Sequence, residues 1–271
     1  MKRILIHANY KKESLEARKI LEKSIRKNGL KLSKENPDLI LCIGGDGTML
    51  SAIRKYRELN VPFVGLNTGT LGFLPGIDLK DIDTVAEKLK DGAYHVEEYP
   101  LLKVYCTTIR GESITGFAFN EVLIKHVSPR LMEAKVYIND KPFNYFTGDG
   151  FIVSTPIGTT GYAIWAGGVA THSSIKAFQI TPLHPNDNSI NRPMKSSMVV
   201  PLETKVDMNI VKAEKRKVIV ACDGIKVSND YISDIQVRAS HEEIKILRLN
   251  EHDYFELYRT KIIDKQIKRS F

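Results

Sequence analysis

Asp46 stands among three glycines in the run Gly44-Gly45-Asp46-Gly47-Thr48. Glycine costs backbone entropy, so a cluster of it implies positive φ or a close approach to bare backbone. Residues 39–43 read as a buried strand and residues 49–56 as a helix, which makes the glycines a strand-to-helix turn. Such a turn points the unpaired amides of a helix N-terminus at the carboxyl end of a strand, where open α/β sheets hold phosphates. The spacing is neither that of a P-loop nor that of a dinucleotide fingerprint. A second glycine-rich turn, Gly65-Leu66-Asn67-Thr68-Gly69-Thr70-Leu71-Gly72-Phe73, closes the next predicted strand. Two such turns after adjacent parallel strands line one crevice. A carboxylate beside phosphates repels them unless it handles a proton or a Mg2+, and both tasks belong to phosphoryl transfer. The plainer alternative is that Asp46 caps the helix through its side chain.

The elements that position these turns follow from periodicity. Residues 3–9, 38–43 and 61–66 are short apolar runs. Residues 11–27 place Leu15, Ala17, Leu21 and Ile25 on one helical stripe before Asn28-Gly29, and residues 81–90 form a helix closed by Asp91-Gly92. Strands alternating with helices predict βαβ units and a parallel sheet. After Pro100 the texture changes to short β-rich runs at 101–109, 116–125, 134–138, 151–154, 198–200, 206–211, 218–222 and 235–239. Asn139-Asp140 and Asp223-Gly224 sit where hairpin turns belong. One helical interruption is expected near 161–170. The expected fold is therefore α/β plus all-β. Residues 1–98 make a Rossmann-like α/β domain for phosphate or nucleotide binding, and residues 99–251 a β-rich, sandwich-like domain. Residues 252–271 make a helical tail that docks back on the first.

Composition narrows the function classes. The 271 residues, 27% charged and 42% hydrophobic, are those of an ordinary folded protein. No apolar run approaches the roughly 20 residues a bilayer demands, and Met1-Lys2-Arg3-Ile4-Leu5-Ile6-His7 is too short for a signal core. Cys42, Cys106 and Cys222 are far apart and odd in number, which suits buried thiols in a reducing compartment such as the cytoplasm. The net charge of +8 is diffuse, densest where Arg259, Lys261, Lys265, Lys268 and Arg269 face only Asp264. Without a basic stripe interleaved with aromatics, nucleic acid is not the expected partner. A small polyanionic substrate is favoured by the excess. The seven histidines have no metal spacing, so no protein-ligated metal is expected.

Further motifs extend the pattern: Asn120-Glu121, then Gly148-Asp149-Gly150 opening a run through Ser154, Thr159, Thr160, Gly161 and Tyr162 to Ala166-Gly167-Gly168. Asn191-Arg192-Pro193 and Asp223-Gly224 complete it. In this order the series resembles the NAD kinases. Gly-Gly-Asp-Gly-Thr alone is shared with diacylglycerol and sphingosine kinases; the full series is specific. The resemblance implies that ATP, or polyphosphate, lays its phosphates with Mg2+ on the turns built from Gly44, Gly45, Gly47, Thr48, Asn67, Gly69 and Phe73. It implies that Asp46 orients or deprotonates the adenosine 2′-hydroxyl of NAD, the product being NADP. The ribose lies near Asn120 and Glu121 and the nicotinamide end near Asp149. Ser154, Thr159, Thr160, Gly161, Tyr162, Trp165 and Asp223 complete the pocket. The β-rich domain is expected to bind NAD and to assemble a homo-oligomer, commonly a tetramer.

The chain departs from the family in places. Gly161 stands where alanine is usual, Ala163-Ile164-Trp165 where small residues precede Ala-Gly-Gly, and Ile225 where glutamine is usual. Trp165 is the sole tryptophan, large enough to stack on a base or to narrow the pocket. Two other readings stay open. A lipid or sphingoid-base kinase would share Asp46 but needs an apolar cleft. A non-catalytic NAD(P) sensor would keep the pocket and have no use for Asp46.

Overall fold

The computed structural model describes residues 3–69, 72–187, 192–251 and 253–264. Its chain forms two compact units, 1–99 with 243–271, and 100–242.

In the first unit, parallel strands lie in the order Lys31–Leu32, Arg3–Ala8, Leu39–Ile43, Phe63–Asn67, Ile77–Asp78. The strand Ile232–Arg248 ends in this sheet, Ile246 pairing with Phe63, so the chain re-enters the unit along a strand and not only with its final helix. All of Leu39–Ile43 is buried, as covering on both faces of a parallel sheet requires. Helix Lys12–Lys27 buries Ala17, Leu21 and Ile25 against Ile4, Leu39, Leu41 and Val64. Leu15, expected on that stripe, is instead 41% exposed at its margin. The helix closes at Asn28, with Gly29 at φ 77°. Helix Asp46–Tyr56 begins three residues before the predicted 49, because Gly45 supplies the extended backbone of the cap. The expected helix at 81–90 is a tight turn, Leu79–Thr84, followed by Val85–Asp91, and Gly92 at φ 73° ends it.

The second unit is a sandwich of antiparallel sheets. One places Lys141–Gly148, Met132–Ile138, Val206–Ile210, Ile232–Arg248, His95–Thr108 and Ser113–Ala118 side by side; the other runs Met198–Pro201, Ala177–Leu183, Gly150–Ser154, Glu121–His126, Val218–Cys222, Ile225–Asp230. Val206, Met208 and Ile210 face the shared core, with the Phe146 and Phe151 rings 4.1 Å apart at its centre. Asn139 and Asp140 take φ of 50° and 64°, and Asp223 and Gly224 of 48° and 75°, so both predicted hairpin turns form. The predicted strand at 116–125 is two strands, broken at Phe119-Asn120, where the backbone leaves its amides free to meet a side chain. The predicted helical interruption is shorter: a tight turn Ile157–Thr160 and the single helical turn Tyr162–Trp165.

The tail forms helix Tyr254–Tyr258 in the first unit, capped by the Asp253 carboxylate, which accepts the Phe255 and Glu256 amides at 2.8 and 3.2 Å. Its Tyr254 ring lies 6.4 Å from that of Phe73, docking the tail on the second glycine turn. Lys265, Lys268, Arg269 and Asn191 fall outside the described residues. All three cysteines are free and buried, and burial pushes the Cys106 thiol up to about 12. Among the described residues, no helix is long and apolar enough to cross a membrane.

Candidate active site

The glycines of the first unit fall into two classes. Gly44 sits at φ 150°, and a Cβ there would overlap the Thr48 hydroxyl, which the Asn9 amide meets at 3.2 Å. A Cβ on Gly72 would overlap the Asp46 carboxylate, so folding alone requires glycine at both places. Gly45, Gly47 and Gly69 differ. None has left-handed φ, and a Cβ on any of them would meet nothing within 4 Å. Neither strain nor packing demands glycine there, which leaves the close approach of a ligand to the backbone. Gly45 caps and Gly47 lies in the first turn of helix Asp46–Tyr56, whose leading amides have no intrahelical acceptor and favour an anion.

Asp46 does not cap its own helix; Gly45 occupies that position and no side-chain cap forms. Its carboxylate reaches instead to the second glycine turn. The Phe73 amide donates to Oδ2 at 3.2 Å and the Leu74 amide to Oδ1 at 2.9 Å. One lone pair on each oxygen is thereby used and the others stay available to a hydroxyl. The second turn is shaped from within. Asn67 is buried and spans it, donating to the Gly69 carbonyl at 3.0 Å, while Thr68 meets the Ser14 hydroxyl at 2.9 Å.

In the second unit a different group gathers around the break at Phe119-Asn120. The Asp223 carboxylate, at the hairpin, accepts the backbone amides of Phe119, Asn120 and Glu121 at 2.8, 2.7 and 3.2 Å. Thr155 donates to the Phe119 carbonyl at 2.6 Å, and Gly158 packs so tightly on Asn120 that a Cβ would strike its carbonyl. The loop is thus rigid, yet the Asn120 Oδ1 and one Glu121 oxygen are buried without a hydrogen-bond partner. Ser154 pairs across from Glu121 and Gln179 from Ser154, so the three share one face of the sheet. Ser154 Oγ and Gln179 Nε2 are likewise buried and unpartnered. Buried polar atoms are rarely left unpaired without reason, and a row of four implies a polar ligand or ordered water. Burial first, and then the charge of Asp223, pushes the Glu121 carboxyl up to about 7.

Other predicted residues take plainer positions. Thr159 and Thr160 donate to the Pro156 and Ile157 carbonyls at 2.6 and 3.0 Å, so their hydroxyls hold the turn. A Cβ on Gly161 would lie 3.2 Å from the Gly158 carbonyl oxygen and 3.4 Å from Glu121 Oε2, so a side chain there would press on the turn's backbone more than on the acid. Tyr162, 45% exposed, and Trp165, 67% exposed, line a cavity of about 530 Å3 with Lys125, Asp149, His184 and Lys195. Asp149 meets His184 Nδ1 at 3.1 Å. Among the described residues no group of three or more His, Cys, Asp or Glu side chains is arranged to hold a metal ion.

Two family models match the chain: the ATP-NAD kinase N-terminal domain over residues 1–94 and the ATP-NAD kinase C-terminal domain over residues 119–249. The chain belongs to the NAD kinase family. It is 34% identical to the NAD kinase of Lactobacillus johnsonii over 257 residues, 94% of each chain. It is 36% identical to that of Finegoldia magna over 251 residues, 90% of this chain and 92% of the other. Two solved structures share the fold. Yeast NADH kinase complexed with NADH superposes at a TM-score of 0.80 with 20% identity, over all of this chain and 89% of that one. An NAD kinase from Archaeoglobus fulgidus in complex with ATP superposes at 0.76 with 24% identity, over 96% and 99%.

Within this NAD kinase fold, several residues escaped the sequence reading. Leu74 holds the Asp46 carboxylate, Gln179 extends the unpartnered row, and Arg248 is wholly buried behind Leu74. Gly72 reads as part of the second glycine turn, but not as the residue whose missing side chain makes room for Asp46.

Proposed function

We propose that this chain transfers the γ-phosphate of ATP to the adenosine 2′-hydroxyl of NAD, giving NADP. One observation carries the reading beyond family membership. Gly45, Gly47 and Gly69 have no structural need to be glycine, and they surround a carboxylate fixed by backbone amides. That is a phosphate platform with a proton acceptor beside it. Both family models are those of ATP-NAD kinases, which favours a dinucleotide over a lipid acceptor.

In this reading the donor enters as its Mg2+ complex, the cation screening phosphate charge. The bare backbone at Gly45, Gly47 and Gly69, with Thr48, Asn67 and Phe73 around it, seats the phosphates. Asp46 accepts the 2′-hydroxyl proton as that oxygen attacks the γ-phosphorus in line; the bond from phosphorus to the β,γ-bridging oxygen breaks and ADP leaves, the proton acceptor contributing roughly 10²–10⁴-fold. The carboxylate needs little reorganisation, because the Phe73 and Leu74 amides already fix it. In the second unit Asn120, Glu121 and Ser154 read the adenosine, and Asp149, Tyr162 and Trp165 line the space for its distal end. Asp223, Thr159, Thr160 and Gly161 set the shape of that surface.

The same reading makes residues 1–98 with the tail the phosphate-binding domain and 99–251 the NAD-binding and oligomerising one. A homotetramer built on the β domain is supported by exposed Phe143 and Tyr145 on strand Lys141–Gly148. Three buried free thiols favour the cytoplasm. Purified protein with NAD, ATP and Mg2+ tests the reaction: a product accepted by an NADP-specific dehydrogenase and bearing a 2′-phosphate by 31P NMR is expected. A folded protein that forms none from ATP or polyphosphate, with NAD or NADH, would refute it.

A further inference from the structure

Among the described residues Arg248 heads the largest fully buried side chains, and nothing in the proposed reaction uses it. Each of its three guanidinium nitrogens donates a hydrogen bond within the first unit. Nε donates to Glu97 at 2.7 Å, Nη2 to the Tyr99 hydroxyl at 3.1 Å and Nη1 to the Leu74 carbonyl at 2.6 Å. Tyr99 in turn donates to Glu97 at 2.6 Å, closing a ring of three side chains. A buried cation is retained at a cost, and a well-packed apolar side chain would serve stability as well or better. The target of the third bond gives the reason. Leu74 is the residue whose amide donates to Asp46 at 2.9 Å.

We propose that Arg248 is a positioning residue for phosphoryl transfer, holding Asp46 through the backbone of Leu74; this rests on the kinase reading above. Leu74 is gripped on both sides, its amide by Asp46 and its carbonyl by Arg248. The following Pro75 packs so closely on Gly65 that a Cβ there would lie 2.7 Å from its Cα. The planar, forked guanidinium fixes direction as well as charge, which a lysine ammonium cannot do. The carboxylate is thus held by a loop that is itself fixed from below. Misplacing a reacting group by an ångström costs about 10²-fold.

The test pairs kinetics with amide hydrogen exchange on Arg248→Met, Arg248→Lys and Tyr99→Phe. Arg248→Met is expected to lower kcat at least tenfold with KM for NAD and ATP within twofold, and to speed exchange at Phe73 and Leu74. Arg248→Lys should recover part of that kcat. Tyr99→Phe, which removes one hydroxyl and keeps the guanidinium, should show a smaller loss of the same kind if Arg248→Met does not fold. Folded variants with native kcat, or a loss confined to KM, would overturn the proposal. Exchange separates the two readings. Faster exchange at Leu74 in a protein whose native form makes no NADP would sink the kinase reading while leaving the Arg248 clamp standing; unchanged exchange would sink the clamp itself.

Discussion

Asp223 accepts the Asn120 amide at 2.7 Å, and the same carboxylate helps raise the proton affinity of Glu121 next door. One acid therefore fixes the backbone at Phe119, Asn120 and Glu121 and, after burial, raises the proton affinity of its neighbour. That coupling makes the loop sensitive to pH near neutrality.

The Glu121 carboxyl is pushed up to about 7, so it is mostly neutral at pH 6 and mostly ionised at pH 8. If NAD's ribose hydroxyls donate to the ionised form, apparent affinity scales with the ionised fraction, and KM for NAD falls about tenfold from pH 6 to pH 8. Without ligand the sign reverses. The folded state holds the proton more tightly than the unfolded chain, so stability declines as pH rises from the ordinary carboxylate range through about 7 and is level above it. Steady-state kinetics on native protein and Glu121→Gln check this, since the variant should lose the KM slope. A slope that persists in Glu121→Gln assigns it elsewhere.

Replacing Asp223 by Asn leaves one oxygen to serve three amides and turns an NH2 toward the rest. The expected cost is about 1–3 kcal/mol, or a drop in Tm of roughly 2–4 °C for each kcal/mol. Removing its charge also lets the Glu121 titration move down. Thermal unfolding and the KM profile read the two effects together, and an unchanged Tm would show that the three amides find other acceptors.

Gly69 and Gly72 belong to one turn and should fail differently. Gly72→Ala forces a Cβ into the Asp46 carboxylate and is expected to lower kcat at least tenfold. A Cβ on Gly69 meets nothing, so Gly69→Ala should leave Tm unchanged and raise KM for ATP by blocking the backbone. Identical kinetic signatures for the two would contradict this division of labour.

Much of this was legible in the sequence, and the rest was not for identifiable reasons. The glycine turns announced themselves because few structures need so many glycines, and the hairpins because Asn-Asp and Asp-Gly tolerate positive φ. The second-sheet strand Ala177–Leu183 went unseen, although all seven of its residues are buried, because Gln179, Thr181 and Pro182 dilute its apolar pattern. The start of helix Asp46–Tyr56 was misplaced since a glycine cap leaves no side-chain signature. Asp223 reads as a turn residue from its neighbours; that it also holds Asn120 is a contact 103 residues away. Arg248 was hidden for the same reason, its partners lying 149 to 174 residues away.

Trp165 offers a direct probe, being the sole tryptophan and 67% exposed on the cavity wall. NAD should quench its fluorescence with saturation at the kinetic KM. An aromatic stack contributes about 0.5–1.5 kcal/mol, so Trp165→Ser should raise KM for NAD roughly two- to tenfold at near-native kcat. An unaffected KM would place the ring outside the acceptor site.

Asp46→Asn removes the proposed proton acceptor and little else. Asparagine keeps the shape and an acceptor oxygen for the Leu74 amide but cannot take the 2′-hydroxyl proton. Turnover of NAD with MgATP should fall by roughly 10²–10⁴-fold, while NAD binding, read from Trp165 quenching or calorimetry, stays within twofold of native. A folded Asp46→Asn protein that still makes NADP at near-native rate would contradict the account at its root.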